Sequence, residues 1–153
     1  MSVFRPGWES YPAKLWEFYS EYHINTLTTI RPDGRPHVVP VGVTLDPVEQ
    51  CAWIITRDGS RKVANIREAT LADERGARVA VCQVDGPRWS TVEGWGVVRT
   101  DAESVARAVE LYSQRYRRPV QPSPTRVAVR IEIEQIMHSP TLLDDPPAGG
   151  PPH

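Results

Sequence analysis

The stretch Thr56-Arg57-Asp58-Gly59-Ser60-Arg61-Lys62-Val63-Ala64-Asn65 organises the rest of the chain. It follows an apolar run at 52–55 that is typical of a strand, and it leads into a short helical pattern. Backbone N–H groups at a helix start carry the positive end of the helix dipole, so a Gly-containing loop with adjacent Arg and Lys predicts an anion pocket. The alternative is that Ser60 is an ordinary N-cap and that Arg61 and Lys62 are merely solvated.

The choice of basic residues makes this loop stand out. The chain has 18 basic residues, and only Lys14 and Lys62 among them are lysines. A compact ammonium group therefore occurs in this loop although the chain uses arginine almost everywhere else.

Length and composition indicate an ordinary soluble protein. The 153 residues predict one domain over 1–143, with an N-terminal arm and helix within 1–23, and a Pro- and Gly-rich tail at 144–153 that we expect to be disordered. The net charge of −1 gives no case for binding nucleic acid. No apolar run could span a membrane, and the N-terminus lacks a signal-peptide core. Isolated cysteines at 51 and 82 favour free thiols in a reducing cytoplasm.

The pattern of apolar residues predicts a mainly β (α+β) fold. Alternation and β-branched residues predict six strands, at 24–30, 37–45, 51–56, 78–85, 88–100 and 127–134. Helical patterns lie before the first strand, after Ser60, and from the capping sequence at 100–103 to before Pro119. Mostly antiparallel strands with short connecting helices predict a small closed or partly closed β-barrel.

Two strands contain residues that a smooth ladder does not favour. Pro40 cannot donate to a ladder and Gly42 has no side chain, so the strand at 37–45 is predicted to be bent, bulged or closely approached. Gly94 and Gly96 flank Trp95, which predicts a sharp bend at a barrel corner.

The sequence offers no recognisable catalytic motif. The four histidines have no metal-ligand spacing, and we expect no metal site. There is no nucleophile elbow and no Gly-x-Gly-x-x-Gly dinucleotide motif. Glu93 could donate a proton or pair with an Arg, and the catalytic residue stays unknown. A bound redox cofactor would carry such chemistry itself, leaving binding and orientation to the protein.

Three segments, Thr28 to Val41, Thr56 to Asn65 and Gln83 to Trp89, together resemble the split-barrel flavin-binding superfamily, whose fold is that of pyridoxamine 5′-phosphate oxidase. Within it the chain is most similar to the deazaflavin-dependent (coenzyme F-420) oxidoreductases of the B type. The resemblance implies a six-stranded antiparallel split barrel and hydride transfer from reduced F-420 to a conjugated acceptor, with biliverdin the named candidate. An FMN-dependent enzyme of the pyridoxamine phosphate oxidase type, and a non-catalytic flavin- or tetrapyrrole-binding protein, are the alternatives.

The resemblance also implies a set of site residues. The strand residues expected along the deazaflavin ring are His37, Val38, Val39, Pro40 and Val41. The residues expected at the phosphate and ribityl end are Thr56, Ser60, Arg61, Lys62 and Asn65, with Arg57 and Arg88 suited to the anionic glutamate tail. The active form would be a homodimer with each cofactor between subunits. The residues expected to reach the site from the other chain are Gln83, Val84, Asp85, Gly86 and Trp89.

Overall fold

One antiparallel sheet forms the body of the protein in the computed structural model, which describes residues 2–4 and 7–144. The strands are β1 (Ser2–Phe4), β2 (Asn25–Ile30), β3 (Pro36–Val41), β4 (Val43–Asp46), β5 (Cys51–Arg57), β6 (Ala77–Asp85), β7 (Arg88–Arg99) and β8 (Arg126–His138). The α-helices are α1 (Ala13–Ser20), α2 (Arg61–Ala72) and α3 (Ala102–Tyr116), and 3-10 turns cover Trp8–Ser10 and Pro140–Leu142. The predicted mainly β, antiparallel fold with connecting helices is confirmed.

The strand count differs from the six that were predicted. The expected strand at 37–45 is divided into β3 and β4 by Gly42, and Ser2–Phe4, which was expected to be an irregular arm, pairs with β8. The first predicted helix ends at Ser20 and not near His23. Of the predicted disordered tail, only Asp144 lies within the described residues. None of the described helices combines the length and apolar content that a membrane crossing requires.

The order of the strands makes the sheet close on itself. It runs β3-β2-β6-β7-β8-β5-β4, with β1 added beside β8. The two edge strands of this order, β3 and β4, are consecutive in the chain and are separated by Gly42 alone. The sheet therefore has to curl until its edges meet at Gly42, and apolar side chains fill the interior. Fully buried members of this core include Leu27, Val43, Val81, Val92, Ile131 and Ile136.

Two tyrosines of α3 pack against the chain at Gly42. A Cβ added there would lie 2.7 Å from Cε2 of Tyr112 and 2.8 Å from Cε2 of Tyr116. Only glycine leaves room for the rings, which explains the missing side chain that the sequence pattern had singled out. Pro40 lies on the edge strand β3, where an absent N–H is tolerated.

Arg115 in the last turn of α3 connects three other parts of the fold. Its buried guanidinium donates hydrogen bonds to the carbonyl of Val43 in β4, to the carbonyl of Glu21 at 3.0 Å and to Oε1 of Gln83 in β6 at 2.8 Å. Gln83 in turn donates to the carbonyl of Phe18 at 3.0 Å. Burial lowers the pKa of Arg115, but these acceptors satisfy the charged form.

Tyr116 adds a second connection beside the first. Its hydroxyl donates to the carbonyl of His23 at 2.8 Å and accepts from the backbone N–H of Val43 at 3.2 Å. The same ring packs against Gly42. The final turn of α3 therefore fixes both the start of β4 and the segment that precedes β2.

The predicted bend near Trp95 is also confirmed. The register between β7 and β8 shifts between Glu93 and Gly94. A Cβ on Gly94 would lie 2.0 Å from the carbonyl oxygen of Glu132, so glycine is required where the bulged strand crosses its neighbour.

Replacing Tyr116 with Phe tests the role of this junction. We expect Tyr116→Phe to lower the free energy of unfolding by about 1–3 kcal/mol, because the N–H of Val43 loses the hydroxyl that accepts from it and the carbonyl of His23 keeps only the bond from Asn25. Urea unfolding with an unchanged m-value measures the loss. Tyr112→Phe is the matched control, since its hydroxyl has no hydrogen bond among the described residues. Equal losses in the two variants would contradict the assignment.

Candidate functional site

A cleft of about 580 Å³ opens where the edges of the sheet meet. The end of β3, the end of β5, the first turn of α2 and the loop that follows α3 form its walls. The residues that line it are Pro40, Val41, Gly42, Ile55, Thr56, Arg57, Lys62, Tyr112, Arg118, Pro119, Val120, Gln121, Ser123 and Arg126. The predicted site residues Pro40, Val41, Thr56, Arg57 and Lys62 are therefore brought together in one place.

The lining of the cleft is cationic and contains no carboxylate. Its four charged residues are Arg57, Lys62, Arg118 and Arg126. None of the four forms an ion pair with a carboxylate anywhere in the described part of the chain. Several arginines elsewhere are paired with carboxylates, as in the pairs Arg35–Asp33, Arg67–Asp58, Arg75–Asp73, Arg78–Glu134 and Arg107–Asp46.

Two of these cations lie directly opposite each other. Arg57 at the end of β5 is the register partner of Arg126 at the start of β8. Like charges at directly opposed positions of an antiparallel pair repel and destabilise the sheet. Burial and the charge of Arg57 both lower the pKa of the nearby Lys62. A bound anion would relieve this repulsion, and no acidic side chain of the cleft does so.

The start of α2 adds backbone donors to the same wall. Ser60 is the N-cap, but its side chain caps no backbone N–H, and the first turn contains no acidic residue. Thr56 Oγ1 lies 3.4 Å from Ser60 Oγ, so the two hydroxyls are neighbours. The free N–H groups and the positive end of the helix dipole are a site of the kind that binds phosphate.

Several buried polar atoms beside α2 lack a hydrogen-bond partner within the described residues. They are Nδ1 of His37, Oδ1 of Asn65 and Nε of Arg31. His37 faces Thr29 across the β2–β3 ladder, and Asn65 donates to Oγ1 of Thr29 at 3.0 Å. Burial, and then the positive charges of Arg31, Lys62 and Arg61, lower the pKa of His37. Nε of Arg31, and Nδ1 of His37 when it carries the proton, can donate to an anionic ligand, whereas Oδ1 of Asn65 can only accept, as from a ligand hydroxyl.

Other predicted residues lie away from this cleft in the single chain. Val38 is exposed on the outer face of β3, whereas Val39 faces the core. Gln83 is buried, and its amide is engaged by Phe18 and Arg115. The remaining members of that segment lie on the β6–β7 hairpin, with Val84, Asp85 and Gly86 exposed and Trp89 half-buried.

Arg88 does not fit the expectation of a free arginine for an anionic tail. Its guanidinium donates to both carboxylate oxygens of Glu21, at 2.8 and 2.9 Å, and also to Asp85. These bonds and one from His23 lower the pKa of Glu21 to about 2. Glu21, His23 and Asp85 also form a group whose ligand atoms are close enough for a metal ion, but Arg88 already neutralises its carboxylates.

Sequence reasoning missed Arg118 and Arg126, which contribute half of the positive charge in the cleft. The sequence predicted a helix that ends before Pro119 and a strand from 127, and the connection between them was assigned no role. The pair of adjacent arginines before Pro119 was the sequence signal that could have identified Arg118. The position of Arg126 opposite Arg57 could be recognised only from the strand register.

Comparison with known proteins agrees with the fold. The family described as pyridoxamine 5′-phosphate oxidase matches residues 11–139. The chain is 45% identical over 127 residues, 83% of this chain and 87% of the relative, to the F420H(2)-dependent biliverdin reductase of Mycobacterium tuberculosis.

Solved structures share the architecture at lower identity. A conserved hypothetical protein of Mycobacterium tuberculosis superposes with a TM-score of 0.67 at 24% identity, covering 90% of this chain and 91% of that one. A protein described as F420 reductase gives a TM-score of 0.61 at 20% identity, covering 79% and 94%. At these identities the structures support the fold alone.

Inorganic phosphate is a simple probe of the helix-start site. We expect phosphate to raise the midpoint of thermal unfolding at constant ionic strength, because a ligand of the native state stabilises it by mass action. Lys62→Ala should weaken phosphate binding by about 1.5–3 kcal/mol, the range for a hydrogen bond to a charged group. Lys14→Ala changes the only other lysine and should leave the phosphate response intact. Identical responses in the two variants would argue against Lys62 as a ligand.

Proposed function

This chain belongs to the pyridoxamine 5′-phosphate oxidase family, and from that membership we propose that it is a reductase that uses coenzyme F-420. The observation that carries the proposal is the carboxylate-free cleft containing Arg57 and Lys62 at the start of α2. That cleft occurs in a chain 45% identical to a reductase named for its dependence on reduced F-420. The acceptor named for that relative, biliverdin, is our candidate substrate.

The residues around the start of α2 suit the phosphate of this cofactor. Lys62 and Arg61 supply positive charge, and the uncapped first turn supplies backbone N–H donors. Ser60 and Thr56 add hydroxyl donors for the phosphate, and the unpartnered amide oxygen of Asn65 in the described chain would accept from a hydroxyl of the ribityl chain. Arg57 extends the positive charge to the end of β5, where a second anionic group of the cofactor could bind.

The strand His37–Val41 is our proposed support for the ring. Pro40 and Val41 line the cleft, and β3 is an edge strand whose outer side has no neighbouring strand. Unpaired backbone groups of an edge strand can bind the polar rim of a planar ligand. Gly42 and Tyr112 complete this wall with a flat surface next to the strand.

When bound, reduced deazaflavin supplies the hydride for the reaction. The protein would contribute by holding the anionic end of the cofactor and by aligning the acceptor beside the ring. No Asp, Glu or His lines the cleft, so we assign delivery of the accompanying proton to water. A single catalytic side chain is not part of the proposal.

FMN is the alternative cofactor, because the family that matches residues 11–139 is described as pyridoxamine 5′-phosphate oxidase. FMN also carries a phosphate, so the helix-start site alone does not distinguish it from F-420. Coenzyme F-420 carries additional anionic groups, and the charge of Arg57 beyond the phosphate site favours the more negatively charged ligand.

Titration of the protein with F-420 and with FMN, followed by intrinsic tryptophan fluorescence, compares the two. We expect tighter binding of F-420, and we expect biliverdin to reoxidise F-420H2 only when the protein is present. Tight binding of FMN without any response to F-420 would exclude the proposal. If the protein binds F-420 but biliverdin does not oxidise F-420H2 in its presence, the protein would be a reductase of another acceptor or a carrier of the cofactor.

We also propose that the active form is a homodimer in which the β6–β7 hairpin of each chain reaches the cleft of the other. The outer face of the β3-β2-β6 region is apolar, with Val38 57% exposed, Ile30 46% and Val84 67%. Thr28 is the register partner of both Val38 and Ala80, so small and apolar side chains extend across the three strands with threonine between them. Exposed apolar side chains beside an edge strand are suited to pairing with a second copy.

A charge on this surface should prevent dimerisation. We expect Val38→Glu to give a monomer, because association would bury an unpaired carboxylate. Val48→Glu is the control, since Val48 is 77% exposed in the turn between β4 and β5. Sedimentation velocity at micromolar protein concentration measures the assembly state. A monomeric wild-type protein, or a dimeric Val38→Glu variant, would contradict this proposal.

A further inference from the structure

The cleft contains more positive charge than the helix-start site uses. Arg57 and Lys62 lie on the wall formed by β5 and α2, whereas Arg118 lies in the connection after α3 and Arg126 is the first residue of β8. This second wall has no role in the site assigned to the cofactor phosphate. Its two arginines have no carboxylate partner in the described part of the chain, although each presents a planar fork of donors.

The segment that carries these arginines is held in place by its own hydrogen bonds. Arg126 donates to the carbonyl of Gln121 at 2.6 Å, and Ser113 donates to the carbonyl of Arg118 at 2.6 Å. The backbone N–H of Asp58, in the loop before α2, donates to the carbonyl of Thr125 at 2.7 Å. The connection is therefore fixed at both of its ends.

Both guanidinium groups are positioned but not neutralised. The Cζ atom of Arg118 lies 5.8 Å from the centroid of the Tyr22 ring, and that ring stacks edge-on against Tyr116 at 5.1 Å. Arg126 uses one Nη for Gln121, which leaves its other donors for a ligand. Arg126 also lies directly opposite Arg57, so the repulsion between them favours an anion at this end of the cleft.

Resting on the proposed function, we propose that Arg118 and Arg126 form a carboxylate subsite that selects acceptors carrying an ionised carboxylate side chain. Bidentate pairing with carboxylates is the interaction for which the guanidinium fork is best suited. Conjugated apolar parts of such an acceptor would lie against Pro119 and Val120, which line the cleft next to Arg118. Arg118 and Arg126 are then specificity-determining residues for the acceptor, distinct from the residues that hold the cofactor phosphate.

Equilibrium binding of biliverdin and of its dimethyl ester to the full chain, without cofactor, tests this subsite. Binding is followed by the visible absorbance of the tetrapyrrole, so the result does not depend on turnover. We expect the wild-type protein to bind the acid more tightly than the ester. Arg118→Gln should weaken binding of the acid about tenfold, the effect of losing a hydrogen bond to a charged group, and should leave the ester unchanged.

Arg117→Gln is the matched control, because the neighbouring Arg117 is exposed, is also unpaired among the described residues, and does not line the cleft. It should bind the acid and the ester as the wild-type protein does. Arg126→Gln should show the same selective loss as Arg118→Gln. Because Arg126→Gln also removes the hydrogen bond to Gln121, the midpoint of thermal unfolding of this variant is compared with that of the wild type. If Arg126→Gln is unfolded, the result for Arg118→Gln alone tests the subsite.

Titration of Arg118→Gln with F-420 separates the two sources of a carboxylate. Unchanged affinity for F-420 together with the selective loss of the acid supports an acceptor subsite. A loss confined to F-420 would assign the arginines to the carboxylate tail of the cofactor and overturn the proposal, as would equal affinities of the wild-type protein for acid and ester. Failure of the proposed function itself is detected independently, as absence of F-420 binding by the wild-type protein.

Discussion

Gly42 is the single residue between the two edge strands of the sheet, and the geometry of the cleft depends on how the chain passes through it. Because β3 and β4 lie at opposite ends of the strand order, the backbone can connect them only if the sheet curls. Tyr112 and Tyr116 pack where a side chain would be, and the last turn of α3 binds both backbone groups of Val43. The cleft then opens beside this closure, lined by Gly42 and Tyr112 themselves. Folding and ligand binding therefore use the same junction.

The distribution of charge distinguishes the cleft from the rest of the surface. A net charge of −1 does not reveal that the cleft gathers four cations without a carboxylate, whereas several described arginines elsewhere are paired with nearby carboxylates. Like charges repel at the opposed positions of Arg57 and Arg126, and an anionic ligand would offset that cost. Burial and the charge of Arg57 also lower the pKa of Lys62. A neutral ligand would leave this repulsion in place, whereas an anion removes it.

The sequence was sufficient to predict the elements whose cause is local. Alternation in the run 127–134, the loop before α2 and the bend at Gly94 each depend on neighbouring residues, and the structure confirms them. Features that depend on contacts between distant segments could not be predicted from the sequence. Nothing near Gly42 indicates that the next strand joins the opposite edge of the sheet, and the burial of Gln83 follows from Arg115, a residue 32 positions later in the chain. The contribution of Arg126 to the cleft could not be predicted either, because it depends on the strand register that places Arg126 opposite Arg57.

The proposed division of roles between the two walls of the cleft is consistent with how each wall is built. A helix start and a short loop form the first wall, and their backbone N–H groups are suited to a compact phosphate whose position must not vary. The second wall is an irregular, Pro-rich connection with long side chains, and such segments tolerate substitution more readily than a helix start does. The two are nevertheless joined, since the N–H of Asp58 is bonded to the carbonyl of Thr125. A family that keeps one phosphorylated cofactor while changing its acceptors would therefore vary the second wall and retain the first. The hydrogen bond between Asp58 and Thr125 would keep the two walls in the same relative position.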